Sequence, residues 1–229
     1  MPVIWVEDYR PQKVSELALY PMLKERLSYY GDTGDFSHLL LAGSPGTGKT
    51  TIARLLASIE ASKPTEINCS ADNSKEQMLK IVRQTTGKTL FGGRRIIILD
   101  EFHDVRKDNQ KVLNKTMEDT AHHNTFIFCV NDAEGVADSI RSRCVEMFFN
   151  VGVVDPKTQT FLVHPHTGMT KEEWIQELQR VGRIVAKKDG ADVSQEQLDR
   201  VSSVDLYIED PRKFIRALDE RIKMDKHTS

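Results

Sequence analysis

Leu39-Leu40-Leu41-Ala42-Gly43-Ser44-Pro45-Gly46-Thr47-Gly48-Lys49-Thr50-Thr51-Ile52-Ala53-Arg54-Leu55-Leu56 is the stretch from which the rest of this chain can be read. Four apolar residues suit a buried strand, and the apolar spacing after Thr51 suits a helix. The turn between them fits G-x-x-x-x-G-K-[ST]. Glycines let backbone N–H groups wrap phosphate oxygens, a lysine answers the β/γ charge, and a hydroxyl can hold magnesium. The candidate contacts to a nucleoside triphosphate are therefore Gly43, Pro45, Gly46, Thr47, Gly48, Lys49, Thr50 and Thr51, with Thr50 also a magnesium ligand.

Working outward, short apolar runs alternate with amphipathic stretches from Phe36 to about Asn150. The runs are Leu39–Ala42, Thr65–Cys69, Ile96–Leu99, Phe126–Val130 and Val145–Phe149. This alternation is the pattern of βα units around a parallel sheet, and runs apolar on successive residues predict strands covered on both faces. The third run ends in Asp100-Glu101. In an open α/β sheet the strand ends meet the phosphate loop, so Asp100 is expected to hold magnesium and Glu101 to polarise an attacking water. Acids that simply favour a helix N-terminus are the alternative for this pair.

Composition sets limits. The chain has 229 residues, 39% hydrophobic and 29% charged, with 32 basic against 34 acidic side chains and a net charge of -2. That balance excludes blanket affinity for nucleic acid, so any such site is local. No apolar run approaches the ~18 residues of a membrane span, and Met1–Arg10 lacks a signal-peptide pattern. The expected location is inside a cell: the cytoplasm, or the nucleus if the source is eukaryotic. Cys69, Cys129 and Cys144 are odd in number, lack C-x-x-C spacing and sit in apolar runs, which reads as core. His122-His123 and His164-Pro165-His166 have no partner at a ligand spacing, so no metal site is expected there.

After Phe149 the character changes. Val151–Val163 contains Asp155-Pro156-Lys157-Thr158 between apolar stretches, a short hairpin by its turn chemistry. Thr170 with Glu173, and Ser194 with Gln197, are capping-box patterns, and Asp210-Pro211 supplies a cap and a first-turn proline. Trp174, Leu178, Val181 and Val185 line one helix face, and Phe214, Leu218 and Ile222 another. The expected organisation is a nucleotide-binding αβα domain over residues 1–150 and a helical domain over 151–229, with the hairpin at 151–163 as an insertion.

Further motifs carry a family resemblance. Trp5-Val6-Glu7-Asp8-Tyr9-Arg10-Pro11 resembles the W-V-E-K-Y-R-P box of replication factor C small subunits and related phage and archaeal clamp loaders, with Asp8 in place of lysine. Glu66–Ser70 resembles their L-N-A-S strand, Asp100-Glu101-Phe102-His103 stands for their D-E-A-D, and Thr116-Met117-Glu118 matches T-M-E behind Asn114-Lys115 instead of an arginine pair. Ser142-Arg143-Cys144 is similar to their S-R-C, and Asp210-Pro211-Arg212-Lys213 to G-D-x-R-[RK]. The resemblance covers roughly residues 5–225 and implies the AAA+ P-loop fold, a five-stranded parallel αβα sandwich followed by a small helical lid. Tyr9, Arg10 and Pro11 would then border the nucleotide, and Asn131 would be sensor 1, where a loop-starting asparagine is the alternative. Arg143 would be the finger reaching a neighbouring subunit's ATP, with Arg141 as competitor, and Arg212 would be sensor 2.

The activity so implied is ATP hydrolysis, with ATP and Mg2+ as cofactors, by a subunit that opens a sliding clamp and releases it on primer-template DNA. The partners would be the clamp, the other subunits of a hetero- or homo-pentamer, and the DNA, with no membrane. Another AAA+ DNA-associated ATPase, an initiator, helicase loader or branch-migration motor, is the competing expectation. The family's subunits continue into a helical collar of about one domain's length; the sequence here ends at Ser229, either as a truncated piece or as a lineage that assembles without a collar of the usual kind. Lys75–Arg95 holds six basic residues against one acidic, so Lys80, Arg83 and Lys88 are the candidate DNA contacts. A solvated charged face is the other reading.

Overall fold

The computed structural model describes residues 4–59, 64–85 and 94–228. Its chain divides into two compact units: one takes the chain through Ser28, Pro45–Gly48 and everything from Asn150, and the other takes Tyr29–Ser44 with Lys49–Phe149.

The second unit is built on five parallel strands: β1 (Leu39–Ala42), β2 (Thr65–Asn68), β3 (Arg95–Asp100), β4 (Asn124–Val130) and β5 (Val145–Phe148). They lie in the order β2-β3-β4-β1-β5. Central β4 is buried at all seven positions and β1 at all four, whereas edge strand β2 alternates half-buried with exposed residues. This is the difference expected between strands covered on both faces and an edge. One face of the sheet contributes Leu40, Ile97, Leu99, Phe126, Phe128 and Val130 to a core completed by Met78, Ile81, Leu113 and Met117 from helices Lys75–Thr85 and Leu113–Asp119. Helix Lys49–Ala57 packs on β3 and β4 with Ile52, Ala53, Leu56 and Ala57 fully buried. Parallel register pairs Asn68 with Asp100 and Ala42 with Val130, so the chain leaves β1, β3 and β4 at one edge of the sheet.

Two internal polar features rest on that core. His38 is buried, its Nδ1 accepting from the Phe126 N–H at 3.1 Å while Nε2 lies 3.3 Å from Met117 O. Burial pulls its pKa below the ordinary imidazole value, the Met117 carbonyl offsetting part of that. Burial also pushes the Cys69 and Cys144 thiols up to about 12, and Cys129 well above its ordinary range. All three stay protonated at neutral pH.

The first unit is mainly helical. Thr170 and Ser194 each close a reciprocal capping box, on helices Lys171–Asp189 and Gln195–Ser202. Asp210 Oδ1 accepts from the Lys213 N–H, 2.8 Å away, at the start of Pro211–Thr228. Trp174, Leu178, Leu198, Phe214 and Leu218 are buried together, and Trp174 Nε1 donates to Ile208 O at 2.8 Å. At Gly182 a Cβ would meet Leu218 Cδ2 at 2.8 Å and Phe214 Cε1 at 3.2 Å, so the absent side chain is what lets these helices close. Strands β6 (Gly152–Val154) and β7 (Phe161–Val163) form an antiparallel hairpin across Asp155–Thr160.

Residues 4–28 fold with this helical unit, so the compact units do not follow the single boundary at 150/151 drawn from sequence. The reason is a set of polar ties to helix Lys171–Asp189. Arg180 donates to Ser15 O at 2.8 Å and Leu17 O at 3.0 Å, Lys188 pairs with Glu16 at 2.7 Å, and Lys24 pairs with Glu177 at 2.9 Å. Nothing in local periodicity announces contacts 150 residues apart.

Candidate functional site

Within the sheet unit, the carboxyl ends of β1, β3 and β4 bring five of the expected residues together. Lys49 opens its helix almost buried, and its Nζ donates to Gly43 O at 2.6 Å, Ser44 O at 3.0 Å and Asn131 Oδ1 at 3.4 Å. Thr50 Oγ1 donates to Asp100 Oδ2 at 3.0 Å. Glu101 follows with φ 53° and ψ 36°, a left-handed conformation that costs a non-glycine residue about 1 kcal/mol or more. Its Oε2 accepts from Asn131 Nδ2 at 3.3 Å. Thr51 continues the helix.

The turn residues Pro45, Gly46, Thr47 and Gly48 belong to the other unit. Gly46 has φ +91° and Gly48 φ +97°. A Cβ on Gly46 would lie 2.8 Å from Asp210 Oδ1 and 3.1 Å from Arg212 Cβ, and one on Gly48 would lie 2.8 Å from Leu17 Cδ2. Both positions require glycine for conformation and for space. Asp210 and the exposed Arg212 thus sit beside the turn. Burial raises the Asp210 pKa against the lowering effect of the Lys213 and Arg212 backbone.

Tyr9 donates its hydroxyl to Asp189 Oδ1 at 2.8 Å, Arg10 pairs with Glu7 at 2.5 Å, and Pro11 follows half-buried. Arg143 pairs with Glu118 and also donates to Ser139 O. Arg141 is held by both Glu146 oxygens, at 2.8 and 3.0 Å. Lys80 and Arg83 are exposed on helix Lys75–Thr85, and Lys88 lies outside the described residues. In the same basic stretch, Arg94 donates to Phe36 O and Gly34 O, and Arg95 to Gln84 O. Arg94 and Arg95 are therefore engaged with the chain's own carbonyls.

The Thr50 hydroxyl and Asp100 carboxylate are hard oxygen donors at the head of a phosphate-type loop, and this donor set fits Mg2+, which takes one or two protein oxygens beside substrate phosphates. Among the described residues no group of three or more His, Cys, Asp or Glu is arranged to hold a metal. His103 escaped the sequence reading. Its ring contacts both Asn131 and Glu101, and the departure from D-E-A-D at this position was the available signal.

Residues 39–152 match the family model described as ATPase family associated with various cellular activities. The chain has the AAA+ P-loop fold. Its sequence is similar to the replication factor C small subunit of Halobacterium salinarum, 36% identical over 152 residues that cover 64% of this chain and 47% of that one. It is also similar to replication factor C small subunit 2 of Pyrobaculum islandicum, 29% identical over 226 residues, covering 94% and 62%. The chain thus spans about half the length of several curated relatives it matches. Among solved structures it resembles the Thermotoga maritima RuvB Holliday junction branch migration motor, with a TM-score of 0.71 at 19% identity over 96% of this chain and 67% of that one. That likeness is one of fold: a five-stranded parallel sheet with helices and a helical C-terminal region. No helix among the described residues is long and apolar enough to cross a membrane.

Proposed function

We propose that this chain is an ATP-hydrolysing subunit of a sliding-clamp loader that acts on primer-template DNA with other subunits of its kind. The observation that carries the catalytic half is the bonded series at one sheet edge: Lys49 to Asn131, Asn131 to Glu101, and Thr50 to Asp100. The similarity to replication factor C small subunits, with the Trp5–Pro11 and Ser142–Cys144 motifs, supports the clamp-loader half.

In this reading Lys49 exchanges the Gly43 and Ser44 carbonyls for phosphate oxygens. Thr50 and Asp100 would hold Mg2+, which would supply charge neutralisation for phosphoryl transfer. Glu101 orients the attacking water and accepts its proton, and Asn131 aligns that water against the γ-phosphate. Arg143 leaves Glu118 to reach ATP on a neighbouring subunit, and Arg212 contacts the γ-phosphate. Tyr9, Arg10 and Pro11 border the nucleotide, and Lys80 and Arg83 track duplex phosphates. The site belongs inside the cell with replicating DNA.

The test is isolation of the tagged chain from native extract, followed by ATP-dependent clamp loading. Recovery of a ring-shaped clamp with further ATPase subunits, and clamp loading lost in Lys49→Ala, is expected. A helicase or an origin-binding assembly in place of the clamp would overturn the clamp-loader assignment.

A further inference from the structure

We infer that His103 is a positioning residue that fixes Glu101 and Asn131 relative to one another, an inference that rests on the ATPase reading of this edge. His103 lies two residues after Glu101, in the short 3-10 turn Phe102–Asp104. The Asn131 N–H donates to His103 Nδ1 at 3.3 Å, tying the ring to the end of β4. A neutral imidazole that accepts at Nδ1 carries its proton on Nε2. That nitrogen lies 3.5 Å from Glu101 Oε2 and 3.1 Å from Asn131 Nδ2. With its proton on Nε2 the ring cannot accept from the Asn131 amide 3.1 Å away, so both N–H groups have the same Glu101 oxygen as their common acceptor, the amide at 3.3 Å and the ring nitrogen at 3.5 Å.

The ring is itself held. Its side chain is only 21% exposed, and a Cβ on Gly135 would fall 3.0 Å from His103 Cβ, so the turn after β4 closes directly over it. Glu101 needs such support because its backbone is left-handed, and a strained residue holds its place only where neighbours over-determine it. A single ring that touches the backbone of one water-orienting residue and the carboxylate of the other sets the spacing on which in-line attack depends.

Two measurements on the full chain test this. In 15N-histidine spectra, His103 should carry its proton on Nε2, and Asn131→Ala should move its ring resonances. A proton on Nδ1 would overturn the inference whether or not the protein turns over ATP. In steady-state hydrolysis, His103→Ala should lower kcat roughly 10- to 100-fold, the cost of small misplacements, with the Kd for a fluorescent ATP analogue changed less than about 3-fold. His103→Gln, which returns a donor near Nε2, should recover much of the loss. An Ala variant with wild-type kcat, a matched loss of affinity, or a Gln variant as slow as Ala would each overturn it. Wild-type chain that keeps the Nε2–H ring but shows no hydrolysis, alone or assembled, would instead sink the ATPase reading.

Discussion

Lys49 and Arg180 each donate to two main-chain carbonyls, yet one stands in a poised region and the other in a finished one. Arg180 reaches Ser15 O and Leu17 O while both Glu177 oxygens lie within 2.8 Å of its guanidinium. Its pKa is raised, first by the Glu177 hydrogen bond. Lys49 reaches Gly43 O, Ser44 O and the Asn131 amide. These acceptors hold the ammonium at the head of a phosphate-type loop, where polyphosphate oxygens can take over the contacts. The comparison teaches that a basic side chain on carbonyls is structural when a carboxylate grips it with both oxygens, and receptive when it opens a phosphate-type loop beside a hydroxyl, two carboxylates and an amide.

Arg143 offers the largest break in that comparison. Paired with Glu118, it looks as finished as Arg180. As a finger acting in trans, however, Arg143→Ala should leave ATP binding intact and cut hydrolysis in the assembled complex by about 10³-fold. Lys49→Ala subunits, which keep Arg143, should partly rescue it. Normal turnover in Arg143→Ala would return Arg143 to the finished class and direct attention to Arg141.

Exchanging the two cations sharpens the contrast. Lys49→Ala should weaken ATP binding by about 100-fold or more, on the scale of a lost charged contact, with little loss of thermal stability. Arg180→Ala should do the reverse, costing about 1–3 kcal/mol in denaturant unfolding because the largely buried Glu177 carboxylate loses its two-pronged partner, with ATP affinity unchanged. A Lys49→Ala protein that unfolds as easily as Arg180→Ala would erase the distinction.

Acid should reach the two regions at different pH. His38 has a depressed pKa, so the unfolded chain binds the proton first. Its contribution is intact above the ordinary imidazole value of 6.5 and declines as pH falls below it, by at most about 1.4 kcal/mol per pH unit. At Glu177 burial raises the pKa, but the bonds from Arg180 and Lys24 outweigh it and leave it depressed. That stability persists above the ordinary value of 4.5 and is lost below it. Amide protection factors, which take out the slowing of intrinsic exchange in acid, should therefore fall in β4 between pH 6.5 and 5, before they do in helix Lys171–Asp189, and His38→Phe should flatten the first step. Simultaneous loss in both regions would contradict this.

The smallest expected effect concerns DNA. Lys80→Ala with Arg83→Ala should reduce the log-log salt slope of primer-template binding by the assembled complex by about 0.9 per lost phosphate contact. An unchanged slope would move the contact to Lys107, Lys111 and Lys115.

Much of this was legible because the determinants are local. The five strands announced themselves as apolar runs, Thr170 and Ser194 as caps, and the loop from Gly43 to Thr50 by residue types that few other structures need. The attachment of residues 4–28 to the helical unit was not legible, since Arg180 finds Ser15 O and Leu17 O only once the chain has folded. Nor was the ring of His103, whose role depends on β4 ending beside it. The basic stretch misled in part, because composition counts Arg94 and Arg95 as available while the fold ties them to carbonyls.

The central claim is that the sheet edge holding Lys49, Thr50, Asp100, Glu101 and Asn131 binds and hydrolyses ATP, and Glu101→Gln tests it most directly. The variant keeps Lys49, Thr50 and Asp100, and loses only the carboxylate proposed to act on water. Fluorescent ATP titration with Mg2+ should give wild-type affinity, and turnover in the assembled complex should be nearly abolished. Turnover close to wild type, or loss of binding together with turnover, would contradict the account.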